Sequence, residues 1–288
     1  MDVDLRKVRY FVAVAEELNF GRAAERLHIA QPVLSRQIRA LEDELKVQLF
    51  VRSKRSTELT AAGRQLLEDA RPVLGSAEAM RRRVAQAARG PRTFTIGFMP
   101  GLTVTRLVRA LSSEYPDLNV ELLRTTWDDQ VEVLHDGRAD VSIVRLPIDQ
   151  RGLTVRRLFD EPRVAMLPAD HRLAGKPVIR IADLAEDHLL QDPDAVPEWR
   201  DVAVELREGR GRPTPHFRSV EEKLEHVAAG HGISVIPLST ANFYTRPDVV
   251  AVPVEDLGPN HVALAWPATR RTRTIFTFAD LAENLAWT

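Results

Sequence analysis

The sequence of 288 residues contains no cysteine. Disulfides, thiolate nucleophiles and cysteine-ligated zinc are therefore excluded, and the chain suits a reducing compartment. It also lacks a membrane span. The uncharged stretch Val227–Thr245 is interrupted by His231, Pro237, Ser239 and Asn242, which a lipid-embedded helix would not carry. The N-terminus, MDVDLRKVRYF, lacks the basic-then-apolar order of a signal peptide. There is no Walker A loop and no GxGxxG, and the eight histidines show no HExxH or comparable ligand spacing. These absences set the expectation of a cytoplasmic protein that is not an enzyme, with no cofactor and no metal.

The length calls for two or three domains. A net charge of −1 conceals a division along the chain. Residues 1–90 hold 17 Lys+Arg against 12 Asp+Glu, and the remainder holds 23 against 29. A basic first part on an acidic body points to a polyanionic partner for that part alone.

Residues 4 to 90 read as nearly continuous helix. Leu5, Val8, Phe11, Val12 and Ala15 make one face of a helix over Asp4–Leu18. A short helix over Gly21–Leu27 and a tight connection at His28–Ala30 lead to a third helix, Gln31–Leu45. Pro32 sits in its first turn, where a missing N–H costs nothing. Leu34, Ile38, Leu41 and Leu45 form its buried stripe. The opposite side carries Gln31, Pro32, Ser35, Arg36 and Arg39. An amide, a pyrrolidine ring, a hydroxyl and two guanidiniums near a helix start suit the major groove; the plain alternative is an ordinary polar surface. Val47–Arg52 and Glu58–Leu59 can pair as a hairpin whose tip holds Arg52, Lys54 and Arg55. Beside a recognition helix such a tip is a wing for backbone phosphates.

A long helix follows from Thr60 to Ala88. Leu66, Ala70, Val73, Ala77, Met80 and Val84 recur in a 4-3-4-3-4 spacing, an apolar seam that calls for a partner helix. A second copy of the chain is one partner, and the chain's own body is another. Ala88–Pro91 breaks the pattern and marks the domain boundary. Beyond it, β-rich runs at Phe94–Phe98, Val120–Leu123, Val141–Val144, Arg163–Leu167, Ile233–Ile236, Val249–Val252 and Val262–Trp266 alternate with helical periods, which predicts α/β units on a largely parallel sheet. Helices are expected near Thr103–Tyr115, Asp128–Asp136, Trp199–Glu208 and Ser219–Ala229.

The segment AAERLHIAQPVLSRQIRALEDELKVQLFVRSKRSTELTAAG resembles the signature of LysR-type transcriptional regulators. That resemblance implies an all-α winged helix-turn-helix over residues 1–59, a linker (dimerisation) helix over 60–90, and a two-lobed, periplasmic-binding-protein-like α/β effector domain over 91–288. Lobe I is expected at 91–161 and 266–288, and lobe II at 162–265. It places Gln31, Pro32, Ser35 and Arg36 in the groove of double-stranded operator DNA, with Arg39 on the same face, and Arg52 and Lys54 on phosphates. Two positions depart from the family's habit. Ala30 replaces a common helix-starting serine, and Glu58 lies in the wing. The implied partners are promoter DNA, a small-molecule effector, RNA polymerase, and further copies of the chain in a dimer or tetramer.

Within the second part, a strand ending at Phe98 runs into Gly101, Leu102, Thr103 and a helix. Such a helix start aims free N–H groups at a crevice, and Thr103 can cap that helix or donate to an anion. Arg145 ends an apolar strand, where ligands of open α/β sheets gather, and is expected to hold a carboxylate or to form a surface or interdomain salt bridge. Trp127 either stacks on a ring or plugs a core. With Ser219 and Val220 across the cleft, these residues make the expected effector site. GFMPGLTVTRLV and VRLPID resemble the branch answering aromatic acids, which implies a carboxylated effector. That branch often has a small polar residue at the position of Gly101 and threonine at that of Trp127, so ligand shape is expected to differ. The alternatives are a solute-binding protein and a DNA-binding protein without a ligand.

Overall fold

The computed structural model describes residues 4–52, 56–88, 92–213, 215–285 and 287. Backbone contacts divide the chain into two units, one of residues up to Ala88 with His135–Arg138, the other comprising the rest.

The first unit begins with α1 (Leu5–Glu17), α2 (Phe20–Arg26) and α3 (Gln31–Leu45). Side chains start two of the three. Asp4 accepts from Arg6 N at 2.8 Å, and Asn19 accepts from Gly21 N and Arg22 N at 2.8 and 3.0 Å. Those bonds satisfy donors that a helix start leaves open. α3 starts on Ala30 without a side-chain cap, and Pro32 occupies its first turn. Phe11 and Val14 of α1, Ala23 and Ala24 of α2, and Leu34, Ile38 and Leu41 of α3 close one core with Leu49 and Phe50. β1 (Phe50–Arg52) pairs antiparallel with β2 (Thr57–Leu59), Phe50 opposite Leu59, giving the expected wing. α4 (Ala61–Ala87) contains Pro72. Its seam is divided: Ala70 is buried, whereas Val73, Met80 and Val84 are 50, 59 and 67% exposed.

The second unit holds β3 (Thr93–Phe98), α5 (Thr105–Glu114), β4 (Asn119–Arg124), α6 (Glu132–His135), β5 (Val141–Arg145), β6 (Leu153–Glu161), β7 (Arg163–Pro168), α7 (Pro197–Arg200), α8 (Val204–Arg207), α9 (Val220–Ala228), β8 (Ser234–Pro237), α10 (Leu238–Phe243), β9 (Val249–Pro253), β10 (Asn260–Pro267) and α11 (Arg273–Glu283). Its first lobe is a sheet in the order β4-β3-β5-β10-β6, and its second a sheet in the order β8-β7-β9. Strands alternate sides as a pleat requires: Val164 and Met166 of β7 enter one core, Ala165 and Leu167 the other.

The expected largely parallel sheet is corrected. β3 runs parallel to β4 and β5, but β10 is antiparallel to β5 and β6, and both pairs of the second sheet are antiparallel. The lobe boundary moves with it. All of β10 belongs to the first sheet, so residues 260–265, assigned by sequence to lobe II, lie in lobe I. The chain crosses at Glu161–Arg163, between β6 and β7.

Candidate DNA-reading face and effector cleft

α3 buries Leu34, Ile38 and Leu41 and turns Gln31, Pro32, Arg36 and Arg39 outward, with Ser35 half-buried between them. Among the described residues neither arginine side chain of α3 forms an ion pair or hydrogen bond, a state shared in this unit by Arg82 and Arg83 of α4. Three nearby arginines are engaged. Arg26 Nη1 lies 2.8 Å from Glu16, Arg71 Nη2 lies 3.3 Å from the same carboxylate, and Arg22 donates to Glu17 O at 2.7 Å. α3 thus presents two positive groups with full hydrogen-bonding capacity, at a helix start pinned by the core beneath it. Val33, which sequence reasoning missed, is exposed in the same turn; its position beside Pro32 was the only available signal. Of Arg52 the backbone is described, closing β1. Lys54 lies outside the described residues.

In the second unit the parallel strands β3, β4 and β5 end at Phe98, Arg124 and Arg145, the edge where open α/β sheets receive ligands. Past β3 the chain turns through Gly101, buries Leu102, leaves Thr103 exposed and enters α5. Thr103 is not the cap of that helix: the cap residue is Val104, with no side-chain hydrogen bond. Val104 thus supplies no side-chain acceptor to the first turn of α5. Trp127 is 49% exposed, so it plugs no core. From the second lobe, Ser219 caps α9 by accepting from Glu222 N at 3.2 Å, and Val220 is half-buried against the sheet. Arg124 ties the two sides, donating to Tyr244 Oη at 3.0 Å and lying 3.6 Å from Glu221.

Arg145 does end β5 as expected, but a free, ligand-facing guanidinium is corrected. Its side chain is 3% exposed and that of Glu161 7%. Nε donates to Glu161 at 3.3 Å, Nη1 to Pro100 O at 2.9 Å and Nη2 to Ser239 Oγ at 3.0 Å. Gln130 grips the backbone on both sides, accepting from Arg145 N at 2.8 Å and donating to its carbonyl at 3.3 Å. Burial pulls the Arg145 pKa down, and Glu161 acts to raise it. The salt bridge, the other expectation for Arg145, does form, but within the first lobe, since β5 and β6 share one sheet; what reaches the second lobe is the hydrogen bond to Ser239. A groove of about 380 Å³ follows the two crossover segments, from Asp160–Arg163 to Pro259; none of the expected effector residues lines it.

Comparison with known proteins decides the family. Residues 5–64 match "Bacterial regulatory helix-turn-helix protein, lysR family", and residues 87–286 match "LysR substrate binding domain". The chain belongs to the LysR family. It is 43% identical over 293 residues to the Hca operon transcriptional activator HcaR of Escherichia coli (strain K12), covering 99% of each chain. It is 36% identical over 265 residues to the transcriptional regulator CatR of Pseudomonas putida, covering 89% of this chain and 90% of that one. Among solved structures, full-length BenM is similar with a TM-score of 0.52 and 30% identity, over 97% of this chain and 95% of that one. Full-length CbnR in complex with its target DNA gives a TM-score of 0.56 and 27% identity, over 97% of this chain and all of that one. This LysR protein is accordingly a DNA-binding transcriptional regulator with an effector-binding domain, and not an enzyme. The helix-turn-helix match spans the whole face built by α3. No helix among the described residues is long and apolar enough to cross a membrane.

Proposed function

We propose that this LysR protein reads a promoter through α3 and responds to a small organic acid, aromatic or aliphatic, held between its lobes. The observation that carries the DNA reading is the pair of exposed guanidiniums, Arg36 and Arg39, which have no side-chain partner among the described residues, whereas Arg22, Arg26 and Arg71 nearby are engaged. Gln31 and Ser35 supply directional groups, Pro32 and Val33 an apolar surface for a thymine methyl, and Arg52 and Lys54 the phosphate contacts of the wing.

For the effector, the supporting features are the exposed Thr103 hydroxyl at the start of α5 and the half-exposed Trp127. Helix N–H groups and a hydroxyl suit a carboxylate, and Trp127 offers a ring face. Gly101, Leu102, Ser219 and Val220 shape the space around them. CatR and the Hca activator, transcriptional regulators by name, support a role in controlling transcription. Val73, Met80 and Val84 leave an apolar stripe on α4, which supports pairing with the same helix of a second copy; a dimer, or a tetramer of two dimers, then presents paired reading heads to a palindromic site. The absence of cysteine fits the cytoplasm, where RNA polymerase is the natural partner.

A thermal-shift screen of the purified protein against small carboxylic acids tests the effector reading. A saturable rise in melting temperature for one class, reduced in Thr103→Val, supports it. No shift with any acid removes carboxylates as the effector class and leaves ligand-independent regulation.

A further inference from the structure

The two lobes touch at one place with unusual closeness. Gly101 has φ +83°, and a Cβ there would lie 2.6 Å from Thr240 Cα, 2.7 Å from Thr240 N and 2.9 Å from the Ser239 carbonyl carbon. All three are backbone atoms, so no side-chain rotation relieves them. Hydrogen bonds hold the same spot shut. Thr240 Oγ1 and Arg145 Nη1 both donate to Pro100 O, at 3.1 and 2.9 Å. Arg145 Nη2 reaches Ser239 Oγ, and Ser239 N donates to Glu161 at 3.2 Å. Asn260 donates to the other oxygen of that carboxylate at 3.1 Å.

We infer that the Pro100–Gly101 turn and the first turn of α10 form a clasp, pinned by Arg145 and Glu161, that sets how far the lobes close, and that position 101 determines effector size through this spacing rather than by touching the ligand. The size determination rests on the effector site proposed above, because Leu102 and Thr103 continue the same turn and so move with the clasp. The clasp itself does not depend on that site. Only glycine combines the positive φ with an approach this close. Any side chain at 101 must push the contact from 2.6 Å out beyond 3.0 Å, and toward 3.4 Å for ordinary packing. Levered about the crossover at Glu161–Arg163, that displacement opens the cleft further out.

The absence of native cysteine allows a direct test. Gln150→Cys and Lys176→Cys place spin labels on exposed positions of the first and second lobes. The full-length labelled chain, diluted into excess unlabelled chain, reports interlobe distance by electron–electron double resonance. Gly101→Ala is compared with Gly152→Ala, which has a similar φ of +72° but nothing within 4 Å of its Cβ. The control carries the backbone strain without the collision. The expected result is an outward shift of the distance distribution, by about 2 Å or more, in Gly101→Ala and none in Gly152→Ala. Ser239→Ala with Thr240→Val, which removes clasp hydrogen bonds without adding bulk, should broaden the distribution outward, and serves if Gly101→Ala does not fold. Coincident distributions for the wild type and the clasp variants would overturn the inference, as would an equal shift in Gly152→Ala. In Gly101→Ala, affinity for bulky acids relative to small ones should rise about tenfold; an unchanged order with a shifted distance overturns the size role. If the wild type binds no acid, the effector reading fails while the distance measurement still decides the clasp.

Discussion

Arg145→Ala tests the buried network most severely. The wild-type pair is almost wholly removed from water, with side chains 3 and 7% exposed. Truncation leaves the Glu161 carboxylate in place with two remaining donors, Asn260 Nδ2 and Ser239 N. Breaking a buried pair by deleting one partner costs about 3–5 kcal/mol, and the two surviving donors argue for the lower end, about 3 kcal/mol. For a unit of this size each kcal/mol lowers the melting temperature by about 2–4 °C, so the fall should be roughly 6–12 °C. Differential scanning calorimetry of the full-length protein measures it. Arg145→Met with Glu161→Leu should recover most of the loss, since an apolar pair of similar volume needs no compensation for buried charge. A single variant melting within about 2 °C of wild type would refute the reasoning, because the guanidinium could then not be holding a desolvated carboxylate. Loss of effector response in Arg145→Ala alone consequently does not identify a ligand contact.

Arg36→Ala should weaken binding to a promoter site by about 1–3 kcal/mol and relax base choice at one position, measured by fluorescence anisotropy against single-base variants of the site. Replacing Val73, Met80 and Val84 together by serine should lower the association constant between chains in sedimentation, with circular dichroism unchanged; an unaltered oligomer would remove this stripe from the interface. Asp248 and Glu225 are held below the usual carboxylate range by hydrogen bonds from Arg246, and Asp160 by those from Arg157 and His261. Their folded-state pKa values are depressed, so whatever stability they add is present above the unfolded value and is lost as pH falls through the folded one. Because all three are solvent-exposed, carboxylate NMR titration should reveal low midpoints while salt erases most of the effect on melting.

The first unit was legible because its signals are local. Stripes of period 3.6 in α1 and α3, Pro32 at a helix start and a basic hairpin tip each lie within a few residues. The second unit was readable in its strands but not in its partners. β6 escaped because Arg156, Arg157 and Asp160 interrupt any apolar alternation; it is an edge strand whose outer side chains need no core. Missing β6 also hid Glu161, and without Glu161 the charge at the end of β5 looked free for a ligand. The helix expected over Asp128–Asp136 shrinks to α6 because Asp129 folds back to accept from Thr126 N at 2.6 Å and Thr126 Oγ1 at 3.0 Å. The one expected over Trp199–Glu208 breaks between α7 and α8, where Ala203 adopts ψ 121°. The approach of Gly101 to Thr240 joins residues far apart in sequence, and no periodicity announces it.

The central claim is that this chain reads DNA by sequence through α3. Fluorescence anisotropy with the intergenic duplex beside its own gene, against a shuffled duplex of the same composition and at one fixed salt concentration, tests that claim most directly. The expected affinity for the intergenic duplex is greater by about a thousandfold, falling toward the shuffled value in Arg36→Ala with Arg39→Ala. Equal wild-type affinity for both duplexes, or a preference untouched by the double substitution, would contradict it.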